Sequence, residues 1–264
     1  MFTRIPGVPL LLRVPANTRG RDLIVADVHG CYTLLQRLLD KASFDPSRDR
    51  LFIAGDLVDR GGESPLSLDW LSRPWVYAVA GNHDHMLIKA AANGGDHQHE
   101  EAGGEWFIPV RREQPELAKE FLEVFSGLPI AIEVDSLDGR RFGIVHAECP
   151  HLDWNDFTRD LEHEQDPNRL NLIVQAATQM RTRISFKDPD PVGGIDTVFV
   201  GHTPVPESLE LGNTLYIDTM AFSDKGRLTL MQMDTRQQWT LSRPELRAMR
   251  TAERLEAHAS TPGR

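Results

Sequence analysis

Three times within its first ninety residues the chain sets a short apolar stretch directly before a cluster of glycine, aspartate, asparagine and histidine, and follows the cluster with a run of helical spacing. Asp22 to Ala26 reads as a buried strand, and after Asp27-Val28-His29-Gly30 the leucines at 34, 35, 38 and 39 recur on one helical face from Tyr32 to Asp40. Leu51 to Ala54 is the second strand, followed by Gly55-Asp56-Leu57-Val58-Asp59-Arg60-Gly61 and a helix from Pro65 to Leu71 with Ser64 as its cap. Trp75 to Ala80 is the third, ending in Gly81-Asn82-His83-Asp84 with helical spacing from Asp84 to Ala92. Such units in series predict an α/β domain in which helices cover a layered sheet.

The rest of the chain is richer in strands. Asn93 to Glu105 reads as a loop and Pro115 to Ser126 as a helix, together forming an insertion. Strands are expected at Pro129 to Val134 and Arg141 to Val145, in a hairpin turning at Asp138-Gly139, and again at Thr197 to Val200, Thr214 to Ile217, Arg227 to Met233 and Gln237 to Leu241. Arg243 to Ala257 would close as a surface helix. The expectation is a β sandwich flanked by helices: an extended arm over residues 1–20, one domain over 21–258 and a frayed tail over 259–264. A chain of 264 residues suits one buried core.

Charge and composition exclude several classes. With 39 acidic against 29 basic side chains the net charge is -10, which repels a phosphate backbone and argues against general nucleic-acid binding. The apolar run from Val8 to Leu12 is interrupted by Pro9 and followed by Arg13, so it reads as neither signal peptide nor membrane span, and a cytoplasmic monomer is expected. Cys31 and Cys149 are too few for a disulfide framework and read as buried thiols.

The polar clusters carry the chemistry. Each lies just beyond a strand, where loops of an α/β fold converge on ligands. Asp27 and His29, two residues apart in extended chain, can grip one cation; Asp56 can bridge two; Asn82, His146 and His202 add amide oxygen and imidazole ligands. Together they predict a site for two divalent ions, a pair that polarises a phosphoryl group and generates hydroxide without a covalent nucleophile. His97 and His99 form a further His-x-His set, but their Gly-rich acidic surroundings read as a solvated loop; His85, His151, His163 and His258 have no partner pattern. Trp106 and Phe107 read as packing residues, with a groove-lining role as the alternative.

D-V-H-G-C-Y at Asp27, G-D-L-V-D-R-G at Gly55, G-N-H-D at Gly81, the Gly103-Gly104-Glu105-Trp106-Phe107 stretch, Val145-His146-Ala147, G-H-T-P at Gly201 and Tyr216-Ile217-Asp218-Thr219 occur in an order that resembles the metallophosphoesterase superfamily, and within it the phosphoprotein phosphatases of the bacteriophage lambda type. The resemblance implies that Asp27, His29 and His202 hold one metal, that Asn82 and His146 hold the other and that Asp56 bridges them. It implies manganese as the preferred ion, with iron or zinc as alternatives. Arg60 would clamp the substrate phosphate with its planar fork, Asn82 would reach a phosphate oxygen, and His83, oriented by Asp59, would protonate the leaving alkoxide. The family's Arg-x-Arg pair falls on Arg181 and Arg183, with Arg181 favoured as the phosphate contact, although the preceding tryptophan and asparagine of the pattern are missing. Asp188 to Gly194 reads as an inserted loop. The implied activity is hydrolysis of phosphoserine and phosphothreonine in proteins by metal-bridging hydroxide, with no phosphoenzyme. A symmetrical dinucleoside-tetraphosphate hydrolase is the alternative, disfavoured by Asp59 where that family has alanine and by Gly62 where it has proline. A non-catalytic scaffold is the remote one.

Overall fold

The computed structural model describes residues 7–259, the last five by backbone alone. The strands are β1 (Leu11–Val14), β2 (Asp22–Val25), β3 (Arg50–Ile53), β4 (Val76–Ala78), β5 (Ala131–Asp135), β6 (Arg141–Val145), β7 (Thr197–Val200), β8 (Leu209–Leu211), β9 (Thr214–Tyr216), β10 (Leu228–Gln232) and β11 (Gln238–Leu241). The helices are α1 (Tyr32–Lys41), α2 (Ser67–Leu71), α3 (Asn82–Asn93), the single turn α4 (His97–His99), α5 (Phe107–Glu113), α6 (Pro115–Ser126), α7 (Trp154–His163), α8 (Pro167–Gln179), α9 (Thr182–Phe186) and α10 (Arg243–Ala259).

Two mixed sheets result. One runs β11-β10-β2-β3-β4, with β2, β3 and β4 mutually parallel; the other runs β1-β5-β6-β7-β9-β8. The period-two alternation of each strand decides how they stack. Ile24 of β2 and Phe52 of β3 face inward to meet Ile132, Val134, Phe142, Ile144 and Phe199 from the other sheet, forming a core between the sheets. Their neighbours Leu23, Val25, Leu51 and Ile53 face outward and are covered by α1, α2, α3, α5 and α6. On the opposite side Val198, Val200 and Tyr216 are covered by α7 and α8, with Trp154 and Phe157 fully buried. The molecule is thus helix, sheet, sheet, helix, the α/β sandwich expected from the sequence.

Several elements differ from the sequence reading. Of the arm expected over 1–20, Leu11–Val14 is a sheet strand, paired in parallel with Ala131–Val134. The tail lies outside the described residues, apart from the backbone of Ala259. Helices α7, α8 and α9 fill much of the segment between β6 and β7, where the sequence reading named only the inserted loop from Asp188 to Gly194. Asp153 and Asp166 cap α7 and α8, each accepting a hydrogen bond from the N–H two residues on. Ser64 lies inside a 3₁₀ turn ahead of α2 and does not cap it. No described helix is long and apolar enough to cross a membrane.

Candidate active site

The parallel arrangement of β2, β3 and β4 brings their carboxyl-end loops side by side, and those loops brace each other. His29 N–H donates to Asp56 O at 2.9 Å and Gly30 N–H to Leu57 O at 3.0 Å. Asp84, in the first turn of α3, accepts from Leu57 N at 3.0 Å and Gly81 N at 2.8 Å, tying the second loop to the third. Burial first, and then the charge of Asp56, push the Asp84 carboxyl up to about 7. The tight loops hold His29, Asp56, Asp59, Arg60 and His202 at φ between 44° and 72°, sparsely populated for residues with a side chain. Two glycines are required by close approach: a Cβ at Gly81 would lie 2.2 Å from Asp56 Oδ1, and one at Gly201 would lie 2.1 Å from Asp27 Oδ1.

Around this frame the buried side chains converge. His29, Asp56 and His83 present ligand atoms within 4.8 Å of one another, as do Asp56, His146 and His202, so Asp56 belongs to both groups. Asp27 lies 3.9 Å from His29 Nε2 and 4.0 Å from His146 Nδ1, and accepts the His202 backbone N–H at 3.0 Å. Asn82 Oδ1 is 3.1 Å from His146 Nε2.

Each histidine's tautomer follows from its second nitrogen. His29 Nδ1 faces Val58 O at 2.8 Å and His146 Nδ1 faces Ala54 O at 2.7 Å; a carbonyl only accepts, so both Nδ1 atoms carry a proton, and each ring in its neutral form presents its lone pair at Nε2. His202 is reversed, donating from Nε2 to Gln179 O at 2.9 Å and leaving Nδ1 free to accept. Burial pushes His29 and His202 down to about 3, favouring the neutral, ligating form, whereas at His146 burial is outweighed by the charges of Asp56 and Asp27, which push it up to about 10, so its Nε2 must give up a proton to hold a cation. Burial opposes charge on Asp56 too, yet the surrounding His146, His83 and His29 hold it well below the usual carboxylate range. Burial and the charge of Asp218 push Asp27 well above that range. Asp218 itself is pushed up to about 6 by burial. The carboxylates of Asp27 and Asp56, with the imidazoles of His29, His146 and His202 beside them, are a donor set of oxygen and nitrogen with no thiolate, which fits a divalent metal.

His83 stands apart. Its Nδ1 donates to Asp59 Oδ2 at 2.8 Å, and its Nε2 accepts from Arg60 at 2.9 Å. A second Arg60 nitrogen reaches His29 Nε2 at 2.8 Å, and the guanidinium lies over the Phe222 ring at 4.7 Å. Arg181 is exposed at the rim, donating to His202 O at 3.2 Å. Arg183 does not join this cluster: it is buried and donates to the carbonyls of Asp188 and Asp190, holding the Asp188 to Gly194 loop. The solvated loop expected around His97 and His99 also needs correction. His99 is 1% exposed and its Nε2 lies 2.9 Å from Asp59 Oδ1, which also accepts from Trp106 Nε1 at 2.8 Å. Acidic, Gly-rich composition hid this, because the buried contact spans 40 residues. His97, two positions earlier, is exposed.

The chain belongs to the calcineurin-like phosphoesterase family, whose profile matches residues 21–220. It is a metallophosphoesterase, a hydrolase of a family that uses divalent metals. It is 31% identical over 75% of its length to serine/threonine-protein phosphatase 2 of Salmonella typhimurium, covering 87% of that protein. It is 28% identical over 72% of its length to a symmetrical bis(5'-nucleosyl)-tetraphosphatase of Methylococcus capsulatus, covering 78% of it. Among solved structures it resembles that of a candidate diadenosine tetraphosphatase, with a TM-score of 0.59 and 21% identity over 88% of this chain and 97% of that one.

Proposed function

We propose that the protein is a serine/threonine protein phosphatase that hydrolyses phosphate monoesters with two divalent cations, manganese the preferred pair. One observation carries the choice of substrate: Asp59 lies 2.8 Å from His83 Nδ1, beside the cation ligands. A serine or threonine alkoxide is a strongly basic leaving group and needs a proton as the P–O bond breaks, which an imidazole held by a carboxylate delivers. The nucleotide leaving group of a dinucleoside tetraphosphate is weakly basic and asks far less of an acid. The names of the Salmonella and Methylococcus relatives cover both substrates, and the dyad favours the first.

In this reading Asp27, His29 and His202 hold one cation, Asn82 and His146 the other, and Asp56 both. When bound, the cations supply Lewis acidity toward the phosphoryl oxygens and ease deprotonation of water. Arg60 donates two N–H groups, now to the Nε2 atoms of His29 and His83, and transfers that fork to the phosphate. Its departure leaves His83 Nε2 free to carry the proton that passes to the leaving oxygen. Arg181 adds a second positive charge at the rim, and Asn82 a phosphate contact. The substrates are phosphorylated proteins or peptides, and the chain works as a cytoplasmic monomer folded as one domain that includes the β1 strand.

The test is hydrolysis of an aryl phosphate, a phosphothreonine peptide and diadenosine tetraphosphate by chelator-treated protein, with and without manganese. Activity restored by manganese and higher kcat/KM on the peptide are expected. Higher kcat/KM on the dinucleotide would overturn the substrate assignment, and activity unaffected by chelation would overturn the metal site.

A further inference from the structure

Asp59 is a buried carboxylate with two occupied oxygens. Oδ2 takes the His83 proton; Oδ1, on the side away from the cation ligands, takes His99 Nε2 at 2.9 Å and Trp106 Nε1 at 2.8 Å. A carboxylate held at one oxygen alone can rotate about its Cβ–Cγ bond, and the imidazole bonded to its other oxygen swings with it. Two donors at Oδ1 and the Ser64 Oγ that accepts Asp59 N–H at 2.9 Å remove that freedom. Hydrogen bonds from both imidazoles, acting against burial, hold the Asp59 carboxyl below its usual range, so it stays the acceptor.

The segment that carries His99 is built to press it there. The Asp96 side chain accepts from Gln98 N and pairs with Lys89 of α3 at 2.8 Å, fixing the α4 turn. A few residues on, Gly103 O accepts the Arg60 N–H at 3.2 Å, so one segment grips both members of the Asp59-Arg60 pair from behind. The Trp106 and Phe107 rings pack on Phe121 of α6, making the platform rigid.

We propose that His99 is a positioning residue: with Trp106 it locks the far oxygen of Asp59, and so keeps the His83 ring aimed at the leaving-group oxygen. The inference rests on the reading of His83 as general acid, and the experiment separates the two. Manganese-loaded wild type and the variants His83→Asn, His99→Phe, His99→Gln and Trp106→Phe are assayed on phenyl phosphate, whose leaving group needs a proton, and on 2,4-dinitrophenyl phosphate, whose leaving group does not. His83→Asn loses about 100-fold on phenyl phosphate and little on the dinitrophenyl ester. His99→Phe, which keeps a flat aromatic ring but removes the donor, loses about 10-fold on phenyl phosphate and less than about twofold on the other ester. His99→Gln, whose Nε2 can donate from nearly the same place, recovers most of the loss. Trp106→Phe shows the same selectivity at smaller size and decides the matter should His99→Phe fail to fold. Equal loss on both esters in the His99 and Trp106 variants, or no loss, would overturn the positioning role while leaving the acid intact. Equal loss in His83→Asn would overturn the acid reading itself.

Discussion

The sheet of β2, β3 and β4 contributes Asp27, Asp56, Asn82, the His83-Asp59 pair and one carbonyl-anchored imidazole, His29, from loops that hydrogen-bond to one another, whereas the sheet of β6 and β7 contributes the imidazoles of His146 and His202, each ring held by a backbone carbonyl. The contrast follows from the ligand chemistry. A buried carboxylate repels its neighbours until a cation or several donors compensate it, so its loop must be braced from several sides. A neutral imidazole carries no such penalty, and one bond to its second nitrogen sets both its tautomer and its aim. One ring even borrows its anchor across the sandwich, since the Ala54 carbonyl that orients His146 ends β3.

If this division is right, damage on the carboxylate side should cost most. Asp56→Asn is expected to lower kcat/KM on an aryl phosphate by about 10³-fold with an unchanged far-UV spectrum, because it removes the group common to both ligand clusters. A loss under about 10-fold would break the comparison. Next come substitutions that move a ligand without replacing it. Gly81→Ala drives a methyl group against Asp56 and should cost about 100-fold; Gly201→Ala does the same to Asp27, which touches one side of the site, and should cost about 10-fold. The reverse order in steady-state kinetics would show that Asp27, not Asp56, is the pivotal carboxylate.

The smallest effect lies at the far end of the same sheet. Asp49 is buried beneath Arg21, which reaches its two oxygens from N–H and guanidinium, and it also accepts Asp45 N–H. Burial opposes its charge, but those donors hold its carboxyl below the usual range. The stabilisation is therefore present above the unfolded carboxyl's pKa, about 4, and is lost as pH falls through the lower folded value. Asp49→Asn should lower the melting temperature by about 2–4 °C at pH 7, a difference that shrinks below pH 4. Turnover should not change, and a changed kcat would show that the two ends of the sheet are mechanically coupled.

Legibility follows the same boundary. The loops after β2, β3 and β4 are contiguous motifs with strong strand patterns before them, and the residues named there meet in space. Arg183 stands in sequence as a second candidate behind the favoured Arg181 because the two are neighbours in an Arg-x-Arg pair, but the α9 turn begins between them and sends one to the rim and the other into the Asp188 loop. Helices α7 and α8 were missed although Asp153 and Asp166 are ordinary capping residues, because their apolar faces mean little until the sheet that covers them is known.

By itself the sequence determined the strand-loop-helix order of the first ninety residues and the polar residues at those strand ends, since these depend on local periodicity and on backbone geometry over a few residues. Tertiary structure alone decided which donors complete a buried carboxylate. His99 meets Asp59 across 40 residues of chain, and the charge of Asp218, beyond β9 of one sheet, raises Asp27, beyond β2 of the other. Such contacts are chosen by how layers stack and by the need to satisfy a buried charge, and neither leaves a mark on the short-range pattern of residues.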